Sequence, residues 1–217
     1  ILEQSFEGML LRIDGKETWS RLVGAHNAYN LLAIYTTAVC LGTDPDEVLV
    51  ALSNLQSAPG RLENLRGPRD LAVVIDYAHT PDALENVLGT LRDVAPERQL
   101  ICLFGCGGDR DKTKRPEMAQ VAARLADRLV VTSDNCRTED PEAILNDIRA
   151  GLDWEGLAKS VFITDRREAI RTAILTAPEG ATILLAGKGH EDYQIIGHEK
   201  LHFDEKEIVT ETFKLIL

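Results

Sequence analysis

The chain lacks what a polyanion binder needs. Its 24 Lys and Arg are outnumbered by 35 Asp and Glu, giving a formal net charge of −11 with no basic run. That argues against a nucleic-acid or anionic-membrane partner. No apolar run is long enough to span a bilayer, and the opening ILEQSFEG has neither a basic start nor a cleavage-site pattern. Cysteines are few: Cys40, Cys102, Cys106 and Cys136 lie scattered, and only Cys102 and Cys106 are close, without the spacing or partners of a zinc site. This usage predicts free thiols in a reducing, cytoplasmic setting. Internal repeats and low-complexity tracts are absent. So are two nucleotide motifs: GCGGDRDKTKR lacks the Gly-Lys-Ser/Thr of a phosphate-binding loop and is not GxGxxG. That argues against a self-contained nucleotide triphosphatase. No Ser/His/Asp or Cys/His pairing stands out, so no catalytic residue is assigned. What remains is ordinary globular material, 44% hydrophobic and 27% charged over 217 residues. That length holds one large domain, or a medium domain plus a piece of another.

Residues 1–58 do not read as the start of a domain. SFEGMLLRI and ETWSRLV, joined by Asp14-Gly15, predict a β-hairpin. GAHNAYNLLAIYTTAVCLG predicts a helix ending at Gly42, and a second helix opens at Asp44-Pro45. A hairpin and two helices bury little core alone, so they are expected to be the tail of a larger domain. At the first helix start, Asn27 is expected as a cap, or Asn27 and Asn30 as an amide pair offered to a heterocycle edge.

Ser57-Ala58-Pro59-Gly60 reads as a linker. From residue 59 onward the pattern alternates. Buried strands are expected at LAVVIDY, QLICLFG and DRLVVTS, a short strand at VFIT and a further strand at ATILLAG, with helices at HTPDALENVLGTLRDV, MAQVAARLA, 141–152 and DRREAIRTAILTA. HEKLHFDEKEIVTETF is expected to add a short edge strand and a terminal helix. Strands alternating with helices predict an α/β fold, a doubly wound, Rossmann-like, mostly parallel sheet. Its strand-to-helix loops then gather on one edge, where open sheets bind ligands.

Five polar clusters fall in those loops: Asp76–Thr80, Gly107–Lys112, Asp134–Arg137, Asp165–Arg167 and Gly187–Glu191. Asp134, Asn135 and Arg137 combine an acid, an amide and a guanidinium in four residues, which suits a ligand carrying both an ammonium and a carboxylate. Gly107-Gly108 is expected to let backbone approach a ligand, with Arg110 meeting a carboxylate and Lys112, Lys114 and Arg115 balancing local acids. Glu191 can accept from an ammonium, and Asp76 from a ribose hydroxyl. His79, beside a helix start, reads as a capping or hydrogen-bonding group before a general base. Cys106 and Cys136 lie near the site without an activating partner.

The strings GRLE, DYAHTPDAL, FGCGGDRDKTKRP, TSDNCRTEDP and AGKGHEDYQ, in this order, together with the GAHNAYNLLA helix, resemble the Mur ligases of peptidoglycan precursor synthesis. Within them the chain is most similar to the branch that adds meso-diaminopimelate to UDP-MurNAc-L-Ala-D-Glu. The resemblance implies that 1–58 is the C-terminal remnant of the central ATP-binding domain and 59–217 the C-terminal, amino-acid-binding ligase domain. It implies an ATP- and Mg2+-dependent reaction through an acyl phosphate, with the magnesium ligands outside this chain. It implies that Arg110 and Arg137 bind diaminopimelate carboxylates, that Asp134, Asn135 and Cys136 shape the pocket, and that Gly187 and Glu191 hold the distal amino-acid end. Asn27 and Asn30 would lie near adenine, and Arg61, Asp76 and His79 would approach ATP.

Two positions depart from the family pattern. Cys136 stands where the loop usually carries proline, which frees φ and loosens the unliganded loop. Thr113 stands where glycine is common, which is expected to tighten the Arg110 loop. The residues leave open two other readings: a stand-alone amino-acid-binding or interaction domain, and a sister ligase using L-lysine or recycled murein peptide.

Overall fold

The structure, a computed structural model, describes residues 1–216. The chain divides into two compact units, Ile1–Ala58 with Thr90–Pro96, and Pro59–Gly89 with Glu97–Leu217.

The first unit holds β1 (Glu3–Ser5), β2 (Gly8–Ile13) and β3 (Lys16–Ser20), an antiparallel sheet in that order. Asp14 and Gly15 both take positive φ, 48° and 79°, the backbone a two-residue hairpin turn requires. β1 is one strand more than the expected hairpin. Helix α1 (Ala25–Cys40) ends before Gly42, whose φ of 93° makes the left-handed stop. Its start differs from expectation: Gly24 occupies the cap position without a side-chain bond, and Asn27 donates to the Val23 carbonyl at 2.8 Å. Asn27 is thus inside the first turn, not a cap. Helix α2 (Pro45–Ser53) is capped by Asp44, which accepts from the amides of Asp46 and Glu47. Met9, Leu11 and Ile13 of β2 pack on Leu31, Tyr35, Val48, Leu49 and Leu52 of the helices. Tyr29, Leu32 and Ile34 of α1 remain exposed.

The second unit contains β4 (Glu63–Arg66), β5 (Ala72–Asp76), α3 (Pro81–Val94), β6 (Leu100–Phe104), α4 (Lys114–Leu125), β7 (Arg128–Val131), α5 (Pro141–Arg149), α6 (Trp154–Ala158), β8 (Ser160–Phe162), α7 (Arg166–Leu175), β9 (Thr182–Ala186), β10 (Tyr193–Ile196), β11 (Glu199–His202) and α8 (Glu205–Phe213). The last turn of α3 groups with the first unit. One sheet has the order β4-β5-β9-β6-β7-β8. All its pairings are parallel except that of β4, an antiparallel edge strand that ENLR did not announce. From β5 the chain steps over one position to β6, then to β7 and β8, and returns through α7 to fill the gap with β9. Right-handed crossovers put the returning helix on the face opposite the outgoing ones. The core agrees. Val73, Ile75, Ile101, Leu103, Val130, Ile183 and Leu185 meet Ala169, Ile170, Ala173 and Ile174 of α7 and Ile208 and Val209 of α8. Side chains of the other parity (Val74, Cys102, Phe104, Val131, Leu184) are equally buried, as are Leu84 and Leu88 of α3, Met118 and Ala122 of α4 and Ile144 and Ile148 of α5.

Further details differ from the sequence reading, among them that the helix expected over 141–152 ends at Arg149. Helix α4 starts at Lys114, inside the stretch read as loop. The C-terminal strand does not join the sheet edge; β10 and β11 form a separate two-stranded hairpin.

Candidate functional site

The loops that follow β5, β6, β7 and β9 open on one cavity of about 560 Å³. Its wall includes His79 after β5, Arg110 after β6, Asp134, Asn135 and Arg137 after β7, and Gly187 and Glu191 after β9, with Tyr193 from β10 closing one side. Each strand delivers its polar loop at its carboxyl end, where a parallel sheet leaves room for a ligand.

Behind the wall lies a fully buried ammonium. Lys188 Nζ donates to the Tyr193 carbonyl at 2.6 Å and to Asn135 Oδ1 at 3.2 Å, and sits 3.3 Å from Asp134 Oδ1 and 3.4 Å from Glu191 Oε2. Asn135 ties the loops together. Its Oδ1 also accepts from the Ile195 amide at 2.9 Å, and its Nδ2 donates to Glu191 Oε2 at 2.9 Å. Two donors on Oδ1 and a carboxylate on Nδ2 fix which way the amide faces. The nearby Glu191 carboxylate raises the Tyr193 phenol pKa, with burial adding to the effect.

Arg137 takes a left-handed φ of 50°. Its amide donates to the Ile195 carbonyl at 3.1 Å, and its own carbonyl accepts from the Gly197 amide at 2.7 Å. The hairpin β10–β11 thus clamps this residue. Its guanidinium Nη1 donates to the carbonyls of Gly108 at 2.8 Å and Asn135 at 3.3 Å, which aims the fork before any ligand arrives. The glycines beside it also serve the packing of the loops. A Cβ on Gly108 would lie 1.9 Å from the Cys136 carbonyl oxygen, and one on Gly107 would lie 3.0 Å from Arg137 Nη1. They let two loops touch each other, and Gly107 also lines the cavity.

The same two loops are stapled by Glu139. Its carboxylate accepts from the Asp109 amide at 2.7 Å and from buried Arg115 at 2.9 and 3.0 Å, and pairs with Lys112 at 3.0 Å. These bonds, Arg115 foremost, hold its carboxyl down at about 2. Arg115 also binds Asp147 at 2.8 Å. Lys112 and Arg115 therefore do balance acids, and Lys114, which lies near enough to Asp111 to favour its charged form, has a further contact. It lines the cavity and donates to the His79 carbonyl at 2.8 Å.

These features coincide with a matched family. Residues 60–189 match the family model described as Mur ligase, glutamate ligase domain. The chain belongs to the Mur ligase family. It is 50% identical over 214 residues to the UDP-N-acetylmuramoyl-L-alanyl-D-glutamate–2,6-diaminopimelate ligase of Parabacteroides distasonis, covering 98% of this chain and 44% of that protein. It is 53% identical over 190 residues to the ligase of the same name from Trichormus variabilis, covering 87% of this chain and 38% of that one. A solved structure of a ligase with that name superposes with a TM-score of 0.74 at 39% identity, over 99% of this chain and 44% of the other. The chain thus spans less than half the length of these relatives.

Within this Mur ligase chain, six of the seven residues expected to hold the amino acid line the cavity: Arg110, Asp134, Asn135, Arg137, Gly187 and Glu191. Cys136 does not. It is buried, and its thiol points at the Ile195 carbonyl, 3.8 Å away. Gly187 is needed twice over: its φ is 118°, and a Cβ there would meet Asp134 Oδ2 at 3.3 Å. Of the residues expected near ATP, His79 is exposed in the wall, and its Nδ1 lies 2.8 Å from the Tyr77 carbonyl, so that nitrogen carries the proton. Arg61 lies over the Tyr77 ring at 5.2 Å. Asp76 is buried, and its two oxygens accept from the amides of Leu62 and Ala78, each at 2.8 Å. It shapes the loop and does not line the cavity. Asn27 and Asn30 lie on α1 of the first unit, with Asn30 Nδ2 donating to Asn27 Oδ1 at 3.3 Å.

The Asp165–Arg167 cluster is structural. Asp165 caps α7. Arg166 is buried against Glu205 at 2.8 Å and donates to the carbonyls of Ala186 at 2.9 Å and Ser133 at 3.4 Å. It braces the ends of β9 and β7 from behind. Tyr77 and Lys188 fell inside the polar clusters without a role of their own, Lys114 was expected only to balance acids, and Tyr193 was not singled out. Among the described residues, no group of three or more His, Cys, Asp or Glu gathers as a metal site would require, and no helix is long and apolar enough to cross a membrane.

Proposed function

We propose that this chain is the C-terminal part of an ATP-dependent ligase that joins meso-diaminopimelate to UDP-MurNAc-L-Ala-D-Glu. Residues 1–58 are the end of its central ATP-binding domain, and residues 59–217 the domain that binds the incoming amino acid. The observation that carries this reading is the meeting of Arg110, Arg137, Asp134, Asn135 and Glu191 on one cavity. Two guanidinium groups suit two carboxylates, and an acidic end suits an ammonium. Arg137, already oriented by two carbonyls, serves the carboxylate that diaminopimelate has and lysine lacks. Glu191 and Asp134 hold the distal ammonium.

The amide forms when the amine attacks an acyl phosphate made from the D-glutamate carboxylate, expelling phosphate. The contribution of this chain is positional: it holds the amino acid with its attacking amine in line. ATP supplies the phosphoryl group when bound. Arg61 and His79 are the residues here that meet it, while the phosphate loop and the magnesium ligands belong to the longer protein. The test is ligation by that longer protein, with product formed from diaminopimelate and ATP, beside the 217-residue chain alone. Turnover by the isolated chain would overturn the assignment of roles.

A further inference from the structure

A lysine with a side chain wholly removed from solvent needs an explanation, because an ammonium is almost never buried without partners. Lys188 does not line the cavity; Asp134, Asn135 and Glu191 do. Its Nζ has four oxygen neighbours between 2.6 and 3.4 Å, on Tyr193, Asn135, Asp134 and Glu191, and the rings of Tyr193 and Phe203 lie 5.6 and 5.7 Å away. Its three protons serve three hydrogen-bond acceptors, on Tyr193, Asn135 and Glu191, and Asp134 meets the ammonium as an ion pair only. Glu191 takes the lysine and the Asn135 amide on the same oxygen, Oε2. Asp134 Oδ1, buried and without a hydrogen-bond partner, faces the ammonium at 3.3 Å.

We infer that Lys188 is a positioning residue that sets the charge of the amino-acid site: it pins Glu191 and Asn135 and offsets one of the two negative charges of Asp134 and Glu191. One net negative charge is left among the three side chains, matched to a single ligand ammonium. Without the lysine, two carboxylates would face each other across the cavity wall, and Asn135 would lose one of the two donors that orient it. Recognition of the distal ammonium would suffer, while contacts to the ligand carboxylates through Arg110 and Arg137 would not. This inference rests on the proposed amino-acid site.

The test compares two ligands on the 217-residue chain by calorimetry: diaminopimelate, and the same seven-carbon diacid lacking the distal amino group. The unaltered chain is expected to prefer diaminopimelate by about tenfold or more, the range of a charge-assisted hydrogen bond. Lys188→Met is expected to reduce that preference to within about twofold, while affinity for the mono-amino diacid stays nearly unchanged. A purely structural role would weaken both ligands alike, and that result would overturn the inference, as would an unchanged preference. Failure of the unaltered chain to prefer diaminopimelate would instead defeat the proposed site itself. If Lys188→Met does not fold, the Lys188 side-chain ammonium is followed by nitrogen-15 NMR in the unaltered chain. Its resonance is expected to move with diaminopimelate and not with the mono-amino diacid; the same response to both overturns the inference.

Discussion

Asn135 and Glu191 are 56 positions apart and joined by one hydrogen bond of 2.9 Å. That bond links the loop after β7 to the loop after β9, and the Asn135 oxygen holds the β10 backbone as well. Asn135→Ala removes all of these ties and leaves the Ile195 amide short of a partner. A loss of about 1–3 kcal/mol in unfolding free energy is expected, read by urea denaturation, with diaminopimelate use falling at least in proportion. Unchanged stability together with unchanged substrate use would show that the amide is not a tie.

Glu139 makes an acid-range prediction. Its carboxyl sits at about 2 in the folded chain against an ordinary 4.5, chiefly through Arg115. A depressed folded pKa contributes stability above the unfolded value and loses it as pH falls through the folded one. Glu139→Gln should therefore be less stable than the parent at neutral pH. The gap should close as pH falls from about 4.5 toward 2. Denaturant midpoints of both proteins across that range check it; a gap independent of pH would contradict the staple.

Arg166 and Glu205 form an ion pair that water does not reach, with side-chain exposures of 0% and 1%. Removing one partner strands the other. Arg166→Met is expected to destabilise by about 3–5 kcal/mol, and adding Glu205→Leu to recover much of that loss. Additive losses in the two single variants and the double variant would mean that the pair is not coupled.

The thiols report on the fold directly. Cys40 is exposed, while Cys102, Cys106 and Cys136 are buried. Burial pushes Cys102 and Cys106 up to about 12 and raises Cys136. Only thiolates react quickly, so a thiol reagent at neutral pH should label one cysteine fast and three only on unfolding. A second fast thiol would place one of the buried three wrongly.

Much of this architecture was legible because strand and helix signals were strong and local. β5, β6 and β9 each carry a run of four or more apolar residues, and Asp44, Asp140 and Asp165 are capping acids before helices. The convergence of four loops followed from handedness alone. What escaped depended on contacts far away in sequence. β4 is polar, and only its pairing with β5 makes it a strand. The C-terminal hairpin earns its place by clamping Arg137, through the bridge from Arg137 to Ile196. Asp76 and Arg166 have the chemistry of ligand contacts, and only burial reveals them as braces. Gly108 looked like part of a ligand cradle, but the Cys136 carbonyl fills the space beside it, while Gly107 does line the cavity.

The assignment of Arg110 and Arg137 to two ligand carboxylates is tested most directly by calorimetry of the 217-residue chain with meso-diaminopimelate and L-lysine side by side. Diaminopimelate is expected to bind at least about tenfold more tightly, the value of one carboxylate–guanidinium contact, and Arg137→Ala to erase the difference. Equal affinity for the two amino acids, or a preference that survives Arg137→Ala, would contradict the assignment.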